Sequence, residues 1–349
     1  MIIKTDNIHV AEIVRFAPPI EITEALPMTV AANKTVVEGR KAVQAILTGS
    51  DQRVLVAVGP CSIHSRAAAL EYAERLAKLA AELQERLFVV MRVYFEKPRT
   101  TLGWKGLIND PNFDDGFDID SGLRLAREIS LNINEIGVPV GTEMLDPITP
   151  QYLADLVTWA SIGARTTESQ THRQMASGLS MPVGFKNGTD GSLEIAINAM
   201  LAARASHVFL GIDPYGYASV VRTTGNPWEH LILRGGRDRP NYHEEDVEAA
   251  TQLLAGAGLP QNLMIDCSHA NSGYDFRRQK RVLADAIRQR VAGSRNIIGL
   301  MLESNLEEGS QKFTQDPTQL RPGVSITDAC IGWDETVALL RDAYRKLPA

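Results

Sequence analysis

The chain has 349 residues, 44% hydrophobic and 22% charged, and its 36 basic against 42 acidic side chains give a formal net charge of −6. That composition excludes a disordered, collagen-like or low-complexity chain, and the acidic balance argues against duplex DNA or an anionic membrane surface as partner. Three scattered cysteines, Cys61, Cys267 and Cys330, make no disulfide framework, and Lys4 and Asp6 break the N-terminus where a signal peptide needs an apolar run.

With no stretch of about 18 apolar residues, no membrane span is expected, and a reducing cytoplasm is the expected compartment. Residues up to about Arg53 read as an N-terminal extension, polar and carrying Pro18, Pro19 and Pro27, followed by a helix-like Val36–Leu47. Beyond it, short apolar runs alternate with segments of helical period. Val54–Val58 and Phe88–Val93 flank a stripe of Leu76, Leu79 and Leu83; Leu125, Ile129, Ile133 and Ile136 lead to Val138–Leu145. Leu156–Ile162 and Val183–Phe185 follow, then the stripe Leu193, Ile197 and Met200, then His207–Ile212. An insert between Gly211 and Arg239 comes next, in which Ala218–Val221 and His230–Leu233 read as an extra hairpin. Val247, Ala250 and Leu254 precede Leu263–Ile265; Ile297–Leu302, a polar loop over Ser304–Val324 and a stripe of Val337, Leu340 and Tyr344 complete the chain.

Eight short apolar runs suit strands buried on both faces, and the intervening helices predict a (β/α)8 barrel over 54–349 with an insert at 211–239, preceded by an extension over 1–53. A doubly wound sheet gives the same alternation, but its glycine fingerprint should follow the first strand. Gly59-Pro60-Cys61-Ser62-Ile63-His64 stands there instead.

Barrel active sites form where strands end, and here the predicted strands end in polar residues. Cys61 follows the first, Arg92, Lys97 and Arg99 the second, Glu143 the third, Arg165 the fourth and Lys186 the fifth. Asp266 and His269 follow the seventh and Glu303 the eighth, while Arg234 lies in the insert beside Gly235 and Gly236. Arg92, Lys97, Arg99, Arg165, Lys186 and Arg234 form a cationic set. Each alone is an ordinary solvated charge, but six at one mouth repel one another and predict a substrate with several negative charges. Cys61, His269, Glu303 and Asp328 form a second set of mixed softness, open to Mn, Fe, Co, Zn or Cu. A buried small hydrophobe is the ordinary reading of a lone cysteine, so the residues alone leave the metal open.

Longer motifs narrow the field: Gly59-Pro60-Cys61-Ser62-Ile63-His64, Met91-Arg92-Val93-Tyr94-Phe95-Glu96-Lys97-Pro98-Arg99-Thr100-Thr101, Gly163-Ala164-Arg165-Thr166-Thr167-Glu168-Ser169, Gly184-Phe185-Lys186-Asn187-Gly188, Arg234-Gly235-Gly236 and Ser325-Ile326-Thr327-Asp328-Ala329-Cys330. Together they resemble 3-deoxy-D-arabino-heptulosonate 7-phosphate (DAHP) synthase of the class I, aromatic-amino-acid-regulated type, from about residue 10 to the last helix. The resemblance implies a metal-dependent condensation of phosphoenolpyruvate with erythrose 4-phosphate that releases phosphate and opens the shikimate pathway. It implies one divalent metal per subunit on Cys61, His269, Glu303 and Asp328. Phosphoenolpyruvate falls to Arg92, Ala164, Arg165, Lys186 and Arg234, with Glu143 nearby, and the aldose phosphate to Lys97, Pro98, Arg99 and Thr100. Lys97, Glu143 and His269 stay open as the group that moves protons. The resemblance further implies an aromatic effector near Pro150, Gln151, Ser180, Phe209, Gly211 and Val221, with Gly211 favouring tyrosine, and a homodimer or homotetramer.

Two other enzymes and a sensor compete. A synthase using arabinose 5-phosphate does not match the Lys97-Pro98-Arg99-Thr100 loop; an aldolase using pyruvate would not need the second phosphate clamp of Arg165 and Arg234; a non-catalytic sugar-phosphate-sensing barrel would be expected to lose a ligand or clamp, and none is missing.

Overall fold

The computed structural model describes residues 3–99 and 101–348. Helices α1 (Pro19–Ala25) and α2 (Val30–Thr48) precede β1 (Val54–Gly59). Helices and strands then alternate: α3 (Arg66–Leu83), β2 (Leu87–Arg92), α4 (Ile119–Glu135), β3 (Val140–Glu143), α5 (Pro150–Leu153), β4 (Trp159–Ile162), α6 (Gln170–Ala176), β5 (Val183–Lys186) and α7 (Glu194–Arg204). Then come β6 (Val208–Ile212), β7 (Ala218–Arg222), β8 (Glu229–Leu233), α8 (Glu244–Gly256), β9 (Leu263–Asp266), α9 (Gln279–Val291), β10 (Ile297–Glu303) and α10 (Trp333–Lys346). Eight strands close a parallel barrel in the order β1, β2, β3, β4, β5, β8, β9, β10, with β10 pairing back to β1. The expected (β/α)8 architecture is thus present, built from buried strands between helices that turn their apolar stripes inward.

The sixth barrel strand is not the expected one. His207–Ile212 overlaps β6, which pairs antiparallel with β7 in a separate two-stranded hairpin, whereas β8, read in the sequence as half of that hairpin, pairs parallel with β5 and β9 inside the barrel. Burial gives the reason. Every residue of β8 is buried, while Val208 and Leu210 of β6 and Val220 of β7 are exposed. Glu229 and His230 lend β8 a polar start that disguises a core strand. The insert therefore ends before Glu229, and Arg234 is a strand-end residue like the other cations.

Helix α2 contains the helix expected over Val36–Leu47 and packs on the barrel itself. Its Val43, Ile46 and Leu47 pack against Leu55, Ala57, Val90 and Trp159 inside the barrel, and the Arg40 guanidinium donates to the carbonyls of Ala154 and Val157. It closes the N-terminal end of the barrel, leaving the C-terminal end as the open mouth. Thr29 starts it by accepting from the Ala32 amide, as Ser65 does for α3 at Ala68.

Candidate active site

The mouth begins with how closely two strands approach. Gly59 ends β1 at φ +157, and a Cβ there would stand 2.7 Å from the Arg92 carbonyl oxygen; glycine lets the β1 end lie directly against β2. The chain then turns into Cys61, whose Sγ lies 3.6 Å from Asp328 Oδ2 and accepts from Lys97 Nζ at 3.0 Å. One donor atom each from Cys61, Glu303 and Asp328 falls within 4.8 Å of the other two, although these residues come from the first strand end, the last strand end and the late loop. Ser62 and Thr327, hydrogen-bonded at 2.7 Å, fasten the two loops that carry Cys61 and Asp328.

His269 stands at the rim of this cluster. Its Nε2 is 3.9 Å from Glu303 Oε1, and its Nδ1 lies 2.9 Å from Asp266 Oδ2 and 2.8 Å from Ser268 Oγ. The structure brings Cys61, Glu303 and Asp328 together as a group and sets His269 beside Glu303. A cavity of about 210 Å³ is lined by His269, Glu303 and Asp328.

The cations reach the same mouth. Arg92 is buried with Nη2 3.2 Å from Glu303 Oε1 and its guanidinium over the Tyr94 ring at 3.9 Å. Lys186 Nζ is 3.3 Å from Asp266 Oδ2. Arg234 contacts the Tyr274 hydroxyl at 3.3 Å, and its own amide donates to Asn187 Oδ1. Arg99 Nε donates to the Trp104 carbonyl, and Arg165 follows β4 in an exposed turn with Ala164. Pro98 sits in the Lys97–Lys105 loop, closed by a bond from the Lys97 amide to the Lys105 carbonyl at 2.9 Å; Thr100 lies outside the described residues. Arg92 and Lys186 are thus paired with carboxylates of the protein itself, so the mouth carries less naked positive charge than the count of cations predicts.

These neighbours set the protonation states. Burial, then Glu303, pushes the Cys61 thiol up to about 11, with Lys97 opposing. Burial works against the Asp266 carboxylate, yet His269, Lys186 and the Ser268 hydroxyl hold it well below the usual range. Burial likewise opposes the Lys97 ammonium, but the Cys61 sulfur, Glu303 and Asp328 hold its proton more tightly than usual. Glu143 is buried with Oε1 lacking a hydrogen-bond partner, and faces Gly163, where a Cβ would stand 2.6 Å from that oxygen.

Several positioning residues escaped the sequence reading. Gln279, fully buried at the start of α9, donates from Nε2 to the Glu303 carbonyl and accepts from the Glu303 amide, at 2.9 and 2.8 Å. Asn187 accepts from the Arg234 amide and from Asn241, and donates to the Gly235 carbonyl. Asn187 could have been found from its place after Lys186; Gln279 carries no local signal.

The residues named for an effector lie elsewhere, around one cavity of about 430 Å³ between α5, α6 and the β6–β7 hairpin. Pro150, Gln151, Ser180, Phe209, Gly211 and Val221 all line it.

Against known proteins, the model of the DAHP synthetase I family matches residues 28–341. A phospho-2-dehydro-3-deoxyheptonate aldolase of Escherichia coli (strain K12), Tyr-sensitive, is 52% identical over 98% of this chain and 96% of its own length. The Phe-sensitive enzyme of the same strain is 53% identical over 99% and 98%, and a Trp-sensitive one from Enterobacter agglomerans 50% over 97% and 98%. A solved phospho-2-dehydro-3-deoxyheptonate aldolase from Francisella tularensis SCHU S4 superposes with a TM-score of 0.94 at 43% identity, over 97% of this chain and 98% of that one.

Proposed function

The chain belongs to the DAHP synthetase I family, and from that premise we propose how the residues at its mouth divide the work. It is a DAHP synthase: phosphoenolpyruvate, erythrose 4-phosphate and water give DAHP and phosphate, under feedback by an aromatic amino acid. The single observation that carries the residue assignment is the convergence of Cys61, Glu303 and Asp328, with His269 alongside, at the ends of strands that also present the cations.

That donor set, one sulfur, one imidazole and two carboxylates, fits a divalent transition metal, and we assign Cys61, His269, Glu303 and Asp328 as its ligands. When bound, such an ion supplies Lewis-acid polarisation of a carbonyl oxygen. Arg92, Arg165, Lys186 and Arg234, with the backbone at Ala164, hold the phosphate and carboxylate of phosphoenolpyruvate; Lys97, Pro98, Arg99 and Thr100 hold the aldose phosphate end. Carbon 3 of the enol ester bonds to the aldehyde carbon, water adds at carbon 2, and carbon–oxygen cleavage expels phosphate to leave the ketone. We assign the proton from that water to Glu143, whose buried Oε1 has no hydrogen-bond partner, and the proton given to the aldehyde oxygen to the Lys97 ammonium beside Cys61. His269 is pinned by Asp266 and Ser268, which fits a ligand better than a freely moving base.

The cavity lined by Gly211 and Val221 supports an aromatic effector site there, and the absence of a side chain at Gly211 favours tyrosine. The exposed apolar side chains of the N-terminal segment, Ile8, Ile13, Val14 and Phe16, and of the hairpin, Val208, Leu210 and Val220, support a homo-oligomer that covers them. Among the described residues no helix is long and apolar enough to cross a membrane, and we place the enzyme in the cytoplasm. Phosphate release from the two substrates, with and without chelator and titrated with tyrosine, phenylalanine and tryptophan, tests the reading. Activity that survives complete chelation would overturn the ligand assignment; stronger inhibition by phenylalanine than by tyrosine would overturn the effector.

A further inference from the structure

At the end of the barrel opposite the mouth, the loops entering β1, β2 and β10 surround a cavity of about 450 Å³. Four guanidinium groups line it: Arg53 before β1, Arg86 before β2, Arg290 in the last turn of α9, and Arg295 before β10. Asp51 and Glu85 are the lining carboxylates. Asp51 is taken by Arg53, through Nε and Nη2 at 2.6 to 3.1 Å, and Glu85 accepts from the Tyr344 hydroxyl at 2.9 Å.

Among the described residues the other three arginines make no ion pair and are held by neutral acceptors. Arg86 Nη1 donates to the carbonyls of Tyr344 and Leu347. Arg290, only 7% exposed, donates to the carbonyls of Arg295 and Gln52, and Arg295 donates to Gln52 Oε1. Burial, then the neighbouring charge of Arg295, pushes Arg290 below its ordinary range. Gathering like charges in one concavity is unfavourable unless something anionic answers them, and this occurs on a chain whose average charge is negative.

We propose that this cavity is a binding site for a phosphate group, free or as a phosphomonoester. Among the described residues four arginines against two carboxylates leave a surplus of two positive charges, which a phosphate dianion balances, and guanidinium forks match its oxygens bidentately. Arg86 and Arg295, from separate loops, supply the grip, and the buried Arg290 supplies charge behind them. No residue of this cavity belongs to the mouth, so the site stands apart from substrate binding and does not depend on the roles assigned there.

Calorimetric titration of the full chain with inorganic phosphate tests this, comparing wild type with Arg295→Glu, with the milder Arg295→Gln, and with Arg345→Glu on the exposed face of α10 as control. We expect wild type and the control to take up one more phosphate per subunit than Arg295→Glu, and Arg295→Gln to weaken that class at least tenfold. Phosphate release in the condensation should be unchanged in all three. Crystals soaked in selenate should show an anomalous peak between Arg86, Arg290 and Arg295. Wild-type stoichiometry and affinity in both Arg295 variants, or no peak in that cavity, would overturn the proposal. Should Arg295→Glu not fold, Arg295→Gln and the selenate soak decide alone. With glucose 6-phosphate in place of phosphate, tight uptake lost in the same variants would identify a phosphomonoester as the preferred form.

Discussion

His230 makes a barrel strand sensitive to acid, and the size of the effect follows from where it sits. On β8 it is opposite Gly184 of β5, whose missing side chain leaves room for the imidazole: a Cβ there would stand 2.8 Å from His230 Cε1. The Trp159 ring lies 5.9 Å away, and neither ring nitrogen of His230 has a hydrogen-bond partner. Burial pushes its pKa from 6.5 down to about 3. Below pH 6.5 the unfolded chain takes up a proton that the folded chain refuses until near pH 3, so this contribution is intact above 6.5 and is lost as pH falls toward 3. One pKa unit is about 1.4 kcal/mol; at pH 5.5 the loss is therefore about 1.4 kcal/mol, and near pH 3 about 4 kcal/mol. His230→Phe keeps a flat ring of similar outline and removes the titration. Urea unfolding of both proteins at pH 7.5 and 5.5 gives a double difference in which other acid-sensitive groups, Glu229 among them, cancel. His230→Phe should gain about 1.4 kcal/mol on wild type as the pH drops. An unchanged difference between the two pH values would refute the reasoning.

Three further outcomes are expected. Gln279→Met keeps the volume but removes both bonds to the Glu303 backbone, and such outer partners commonly govern metal affinity by about 10- to 100-fold; competition with a chelating indicator should show that weakening, and an unaltered affinity would leave Gln279 a packing residue only. Gly106 has φ +114, and a Cβ there would overlap the Phe95 carbonyl oxygen, so Gly106→Ala should part the loop that carries Lys97 and Arg99. Steady-state kinetics should show KM for erythrose 4-phosphate raised about tenfold or more with that for phosphoenolpyruvate nearly unchanged, in line with a few kcal/mol of local strain. At Gly211 a Cβ would lie 2.7 Å from Val221 Cγ2, so Gly211→Ser should narrow the cavity and shift inhibition from tyrosine toward phenylalanine; retained preference for tyrosine would separate Gly211 from effector choice.

The fold was legible wherever a strand was uniformly apolar and its helix had a clean stripe. It failed at β8, where Glu229 and His230 imitate a surface strand although both are buried, and at β6, where alternation passed for a core run. Helix α9 gave no stripe because Gln279, Gln289 and Arg290 occupy part of its buried face. The strand-end residues of the site were legible because a barrel makes sequence position predict spatial position. Gln279 was not: it acts on the backbone of Glu303, 24 residues away, and only closure of the barrel brings the two together.

The charge count at the mouth needs a different interpretation from the one it invites in sequence. Six cations at one opening suggest a field that only the substrate's anions can neutralise, yet Arg92 rests against Glu303 and Lys186 against Asp266, both pairs buried. Buried pairs of this kind add little net stability, because desolvation offsets their attraction, but removing one partner strands the other. Asp266→Ala should therefore lower stability, with Lys186 and His269 both losing a partner. Arg99 and Arg165 stand on exposed loops, where exclusion of water by a bound anion would strengthen its attraction to them.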